Sequence, residues 1–281
     1  MMLLRDFIRE SSLRLSNSGF LMPMLDVEVI TSHFLKVDRS RLPIMDDYFL
    51  SDAESESLSK LIDRRMLNEP VAYIIGTKEF YSLQLFVNSS VLIPRPETEE
   101  LAELAVQSIP QNGLVLDLCT GSGAIAVSLK YYRKDLTVHA SDISEQALAV
   151  AKANADNLVD SGITFIHGDL FGTIPKVKYD CIISNPPYIG INEKHLMTAE
   201  VAYEPSLALF SDSDGSALTM SIIDESLNYL KHGGLLMLET NPEFAEKLFD
   251  HALKKGFTGY VKNDYSGKKR FIIFQKADDV F

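Results

Sequence analysis

From about residue 95 onward the chain repeats an apolar strand and then a helical pattern, and this alternation restricts its fold more than any other feature. Apolar runs at 114–118, 137–141, 163–167, 179–184 and 235–239 read as buried strands. Helical periodicity fills the intervals at about 123–132, 144–158 and 215–231. Strands joined through helices run parallel, so the pattern predicts an α/β fold with a doubly wound sheet. The tail breaks the pattern: residues 256–264 and 270–275 read as two strands joined only by a polar Ser266-Gly267-Lys268 turn, an antiparallel hairpin.

Residues 1–76 read as a small helical bundle and 77–94 as a β-hairpin linker, leaving 95–281 as the sheet domain. Leu3, Leu4, Phe7, Ile8, Leu13 and Leu15 predict one amphipathic helix, and Val27, Val29, Ile30, Phe34 and Leu35 a second. Ser51-Asp52-Ala53-Glu54 has the form of a capping box opening a third. The alternating stretch from Phe80 to Ile93, rich in β-formers (Phe80, Tyr81, Leu83, Leu85, Phe86, Val87), predicts the hairpin. A net charge of −12 argues against a broad phosphate-binding surface and favours a protein or small-molecule partner over nucleic acid. Two cysteines and scattered histidines predict neither a disulfide framework nor a metal site. No apolar stretch approaches the ~18 residues that span a membrane, so a cytoplasmic protein is expected.

Two loops at predicted strand ends carry the chemistry. After strand 179–184 comes Asn185-Pro186-Pro187-Tyr188. The prolines end the strand and stiffen its exit, leaving an amide oxygen, outward carbonyls and an aromatic face. Such a loop can accept both hydrogens of a planar NH2 group, which points to chemistry on an amide or amino nitrogen. After strand 114–118 comes Cys119-Thr120-Gly121-Ser122-Gly123, whose glycines let backbone approach a ligand closely. Asp142 then ends the next strand at the offset where an acidic residue meets a ribose diol. The loop could equally be a tight structural turn and Asp142 a helix cap. Asp117, placed to repel a pyrophosphate but to accept from an ammonium group, favours S-adenosylmethionine over NAD, and the glycines miss the full G-x-G-x-x-G spacing. A third strand ending in His167-Gly168-Asp169-Leu170-Phe171 would supply a carboxylate and apolar side chains near an adenine, although Asp169 could equally be a helix cap.

Together these motifs resemble the release-factor glutamine methyltransferases, the PrmC or HemK family. The resemblance runs from about Glu69 to the C-terminus. It includes Pro70–Gly76, Leu92-Ile93-Pro94-Arg95-Pro96-Glu97-Thr98-Glu99, the glycine loop, Asp142, Gly168-Asp169-Leu170-Phe171, Ser184 to Ile189, Tyr203-Glu204-Pro205, Asp214-Gly215 and Asp264 to Lys268. It implies a class I S-adenosylmethionine-dependent methyltransferase fold, behind a helical domain and a hairpin. It also implies S-adenosyl-L-methionine as cofactor, and as substrate the Gly-Gly-Gln glutamine of class 1 peptide chain release factors. Cofactor contacts are expected at Cys119, Thr120, Gly121, Ser122, Gly123, Asp142, Leu170 and Asn185. The substrate glutamine is expected on Asn185, Pro186, Pro187 and Tyr188, with Asn185, Pro186 and Tyr188 catalytic. Cys119 stands where the family usually has glycine, and Thr240-Asn241-Pro242 where it more often has a glycine-containing turn.

Two other readings compete: an adenine N6-methyltransferase using the same loop on an exocyclic amine, and a cofactor-binding interaction protein without catalysis. Arg95 and Glu97 read as a surface ion pair and a helix-start carboxylate of the following helix, and the long segment at about 189–214 as a lid.

Overall fold

The computed structural model describes residues 1–45, 47–211 and 215–277, apart from the side chain of Leu196, and these divide into two compact units. The first unit comprises residues 1–77 and 198–203. It contains β1 (Met2–Leu3), α1 (Leu4–Asn17), α2 (Pro23–Leu35), β2 (Phe49–Leu50), α3 (Asp52–Met66) and α4 (Val71–Ile75). Leu4, Phe7, Leu15, Val27, Ile30, Leu58 and Ile62 close its core, whereas Leu13 is exposed. The capping box forms as expected: the Ser51 hydroxyl accepts from the Glu54 N–H, and Glu54 accepts from the Ser51 N–H at 2.8 Å. Arg65 is buried here, donating to Asp26 (2.8 Å) and to Glu200, with its guanidinium 4.3 Å from the Phe20 ring centre.

The second unit holds β3 (Thr77–Phe80, entering from the last residue of the first unit), β4 (Leu83–Phe86), α5 (Pro96–Ser108), β5 (Leu114–Leu118), α6 (Ala124–Tyr132), β6 (Thr137–Asp142), α7 (Glu145–Leu158), β7 (Ile163–His167), β8 (Tyr179–Ser184), α8 (Ser206–Leu209), α9 (Ala217–Ser226), β9 (Leu230–Glu239), α10 (Ala245–Lys254), β10 (Phe257–Asn263) and β11 (Lys269–Lys276). Seven strands form one sheet in the order β10-β11-β9-β8-β5-β6-β7. β11 inserts antiparallel between β9 and β10, and the pairings from β9 to β7 are parallel. This is the class I methyltransferase arrangement that the tail hairpin foreshadows.

Side-chain alternation gives the sheet two apolar faces. Leu116, Leu118, Ile182, Leu236 and Leu238 pack with Ile222 of α9 and Leu248 of α10. Val115, Val138, Cys181, Ile183 and Met237 pack with Leu101 of α5 and with Ile125 and Leu129 of α6. The helix expected over 215–231 is shorter than its pattern suggested. The Tyr229 carbonyl accepts from the Tyr179 N–H at 2.7 Å and Leu230 pairs with Tyr179, drawing Leu230 onward into β9. α10 lies where the sequence pattern predicted no element. No helix among the described residues is long and apolar enough to cross a membrane.

The β3–β4 hairpin contributes to the core of the second unit. Phe80, Leu83 and Leu85 pack on Ala102, Val127 and Ala155 from α5, α6 and α7, and Leu85 is fully buried. Leu85→Ala is therefore expected to lower unfolding free energy by about 2–5 kcal/mol in urea titration of the full chain. A side chain on a detached linker would change it by less than about 0.5 kcal/mol.

Candidate active site

β5 and β8 are parallel neighbours with Leu118 opposite Ser184, and the Ser184 hydroxyl donates to the Leu118 carbonyl at 2.7 Å. Strand order reverses between them, with β6 and β7 on one side and β9 on the other. A reversal of this kind leaves a crevice beyond the carboxyl ends of the strands. Both motif loops leave their strands there, around a cavity of about 460 Å³.

Cys119, Thr120, Gly121, Ser122, Asp142, Leu170, Asn185 and Pro187 line this cavity, together with Thr98, Asp169 and residues 205–211 except Ser206 and Leu209. Three predicted residues are placed otherwise. Gly123, at φ +79°, caps α6, and a Cβ there would lie 3.0 Å from that of Ala151, so glycine lets α6 pack closely on α7. Pro186 is buried behind the loop surface. Tyr188 is directed to the interior, its hydroxyl donating to Glu239 at 3.2 Å.

Asp142 holds the glycine loop. One carboxylate oxygen accepts from the Gly121 N–H and the other from the Ser144 N–H, both at 2.9 Å. Burial raises its pKa despite these bonds. A carboxylate has about four lone pairs, so Asp142 retains acceptor capacity towards the cavity. Asn154 supports the same loop from α7, its amide donating to the carbonyls of Ser122 (2.9 Å) and Phe86 (3.0 Å). Asp117 does not line the cavity. It is buried beneath the loop, where Oδ2 accepts from the Thr120 hydroxyl at 2.6 Å and from the Ala126 N–H at 3.1 Å. Burial pushes its carboxyl up to about 7. Its Oδ1 is buried with no partner among the described residues.

Asn185 is held from α5 and β9. Its Nδ2 donates to the Thr98 hydroxyl at 3.0 Å, and that hydroxyl donates to Glu239 at 2.7 Å. Glu239 is buried, and burial lifts its carboxyl to about 7. Thr98 belongs to the Ile-Pro-Arg-Pro-Glu-Thr-Glu motif and Glu239 ends a strand beside β8; these positions are the only sequence signals for either role. Arg95 pairs with buried Glu204 at 2.6 Å and not with Glu97, and Glu204 also accepts from the Ile93 N–H at 3.1 Å. The two carboxylate contacts fasten the start of the 204–211 wall of the cavity.

These features suit an adenosyl sulfonium group. The volume falls within the usual range for small-ligand cavities, roughly 300–1,000 Å³. Gly121, at φ +57°, has nothing within 4 Å of where a Cβ would stand, so the loop presents bare backbone. Asp117 Oδ1 leaves a buried acceptor oxygen beneath it with no partner among the described residues.

Residues 97–206 match the family model for the methyltransferase small domain, and residues 6–76 match that for the PrmC N-terminal domain. A release factor glutamine methyltransferase of Leptospira interrogans is 40% identical over 260 residues, covering 90% of this chain and 91% of that protein. The chain belongs to the release factor glutamine methyltransferase family. The family's enzyme from Aliivibrio fischeri is 36% identical, over 97% of each chain. A solved methyltransferase structure from Pyrococcus furiosus superposes with a TM-score of 0.54 at 18% identity, covering 78% of this chain and 100% of that one, a likeness of fold.

Membership makes two local features intelligible. Cys119 adopts φ +58°, a conformation that glycine takes without strain, and burial pushes its thiol up to about 12, so it stays neutral. Gly215 also has positive φ, and a Cβ there would lie 2.3 Å from the Tyr188 carbonyl oxygen, so glycine lets this segment close on the loop. Its motif partner Asp214 lies outside the described residues. The Thr240-Asn241-Pro242 turn closes without glycine, Asn241 Oδ1 accepting from the Glu243 N–H at 3.1 Å.

Glu204→Ala would leave the Ile93 N–H and Arg95 without their acceptor, at a cost of about 1–3 kcal/mol in urea unfolding. Glu204→Gln keeps one acceptor and should lose less.

Proposed function

We propose that this chain transfers a methyl group from S-adenosyl-L-methionine to the side-chain amide nitrogen of the glutamine in the Gly-Gly-Gln motif of class 1 peptide chain release factors. The observation that carries this reading is the shared cavity. Asn185 and Pro187 of the amide-receptor loop line the same space as the glycine loop, Asp142 and Leu170.

Cys119 to Ser122 would hold the cofactor's methionine portion along bare backbone, Asp142 would accept from its ribose, and Leu170 would pack on its adenine. Asp169, also on the cavity wall, would add a further acceptor there. Bound in this way, the cofactor would supply an electrophilic methyl group on a sulfonium that leaves as a neutral thioether, so the transfer needs no general acid, and the methylated nitrogen would then give up one of its protons to water.

An amide nitrogen is a poor nucleophile because its lone pair is delocalised, as the ~18–20 kcal/mol rotational barrier of an amide indicates. Asn185 Oδ1 and the Pro186 carbonyl would accept the two N–H groups of the substrate glutamine. Paired acceptors make that nitrogen more electron-rich and stabilise positive charge as it develops. Pro187 would shape the floor. Tyr188, directed inward and anchored through its hydroxyl on Glu239, would fix the loop. Holding the nitrogen at about 3–3.5 Å in line with the methyl supplies orientation that free reactants lack.

The net charge of −12 agrees with a protein substrate, and no direct contact with nucleic acid is proposed. Adenine methylation on DNA or RNA would use the same loop but would be expected with a basic surface.

Labelled methyl should pass from S-adenosylmethionine to a purified release factor and not to a version whose Gly-Gly-Gln glutamine is alanine. Equal labelling of both would contradict the substrate, and labelling of nucleic acid alone would favour the adenine reading. Asn185→Ala should retain cofactor binding in calorimetry and lose roughly 100-fold or more in kcat, by analogy with loss of one preorganised hydrogen-bonding group.

A further inference from the structure

We infer that Thr98 and Glu239 are positioning residues, whose hydrogen-bond polarity turns the Asn185 amide so that its oxygen, and not its NH2, meets the substrate nitrogen; this rests on the glutamine-methylation reading above. Thr98 lies in the first turn of α5, 87 residues from Asn185 and 141 from Glu239 in sequence, and the fold brings the three into one chain of bonds. A hydroxyl has one proton. An ionised carboxylate only accepts, so Glu239 takes the Thr98 proton at Oε2 and the Tyr188 proton at Oε1. With its proton committed, the Thr98 oxygen can only accept, and it accepts from Asn185 Nδ2. Asn185 Oδ1 then accepts from none of the described residues and is left for the substrate. A rotated Asn185 would set its own NH2 against the NH2 of a glutamine, donor against donor.

The same bonds make the arrangement sensitive to protonation. A protonated Glu239 can donate to Thr98, which frees the Thr98 proton to point at Asn185 and removes the reason for one amide orientation. The groups facing Glu239 are Thr98 and Glu97 from α5, Tyr188 from the loop after β8, and Arg270 from β11, the last paired with Asp264 at 2.7 Å. Burial outweighs Arg270 and the two donated hydrogen bonds, and brings the carboxyl to about 7. The ionised, orienting form therefore predominates above that pH and is lost below it.

The experiment measures methyl transfer to a release factor by the full-length enzyme from pH 5.5 to 8.5, with cofactor affinity measured alongside. Wild-type kcat should fall on an acid limb near pH 7. Thr98→Val should lose about 100-fold in kcat, with KM and cofactor Kd within roughly threefold, and Thr98→Ser should recover most of the loss. Glu239→Gln should abolish the acid limb. A flat wild-type profile, which needs no variant, would overturn the inference. So would Thr98→Val with kcat within roughly threefold of wild type, or an acid limb that survives in Glu239→Gln. Absence of methyl transfer by the wild-type enzyme would instead overturn the functional reading on which the inference rests.

Discussion

The pairing of β5 with β8, in the register that sets Leu118 against Ser184, is the constraint on which the site depends. Side-chain direction alternates along a strand, so a slip of one residue would exchange the side chains of the two core faces and separate the two loops in height. Each face packs against its own set of helix side chains, which disfavours that exchange, and the Ser184 hydroxyl bonded to the Leu118 carbonyl adds a direct tie at the strand ends. Two loops unrelated in sequence therefore open at one level beside one cavity, where the proposed cofactor and amide would meet.

The cavity is then stiffened by carboxylates taken out of water. Asp142 ties Gly121, Glu204 ties Ile93 and Arg95, and Glu239 ties Thr98 and Tyr188. In a region of low dielectric each of these bonds is stronger than in water, and an unpaired group there is costly, so the donors have few alternatives. Precision of this kind is what amide methylation requires. The nitrogen is weakly nucleophilic and gains from acceptors already fixed before it arrives.

The parallel sheet was legible because its strands are short, continuous apolar runs separated by helical periodicity. Legibility failed where that signal was diluted. The polar Lys231-His232-Gly233-Gly234 at the start of β9 masked a strand that begins at Leu230. The loops could be read because glycine frees and proline restricts the backbone locally. Their supports could not, since Thr98 and Glu239, or Arg95 and Glu204, meet only after more than a hundred residues of chain are folded. Asp117 shows the opposite error. Its place in the motif suggested a ligand contact, whereas the start of α6 and Thr120 draw its carboxylate beneath the loop.

A crystal structure of the enzyme with S-adenosylhomocysteine and a Gly-Gly-Gln peptide tests the central claim most directly. The glutamine nitrogen should lie about 3 Å from Asn185 Oδ1, with Asn185 Nδ2 still on the Thr98 hydroxyl. A glutamine bound away from Asn185, or facing an Asn185 amide turned to present its NH2, would contradict it.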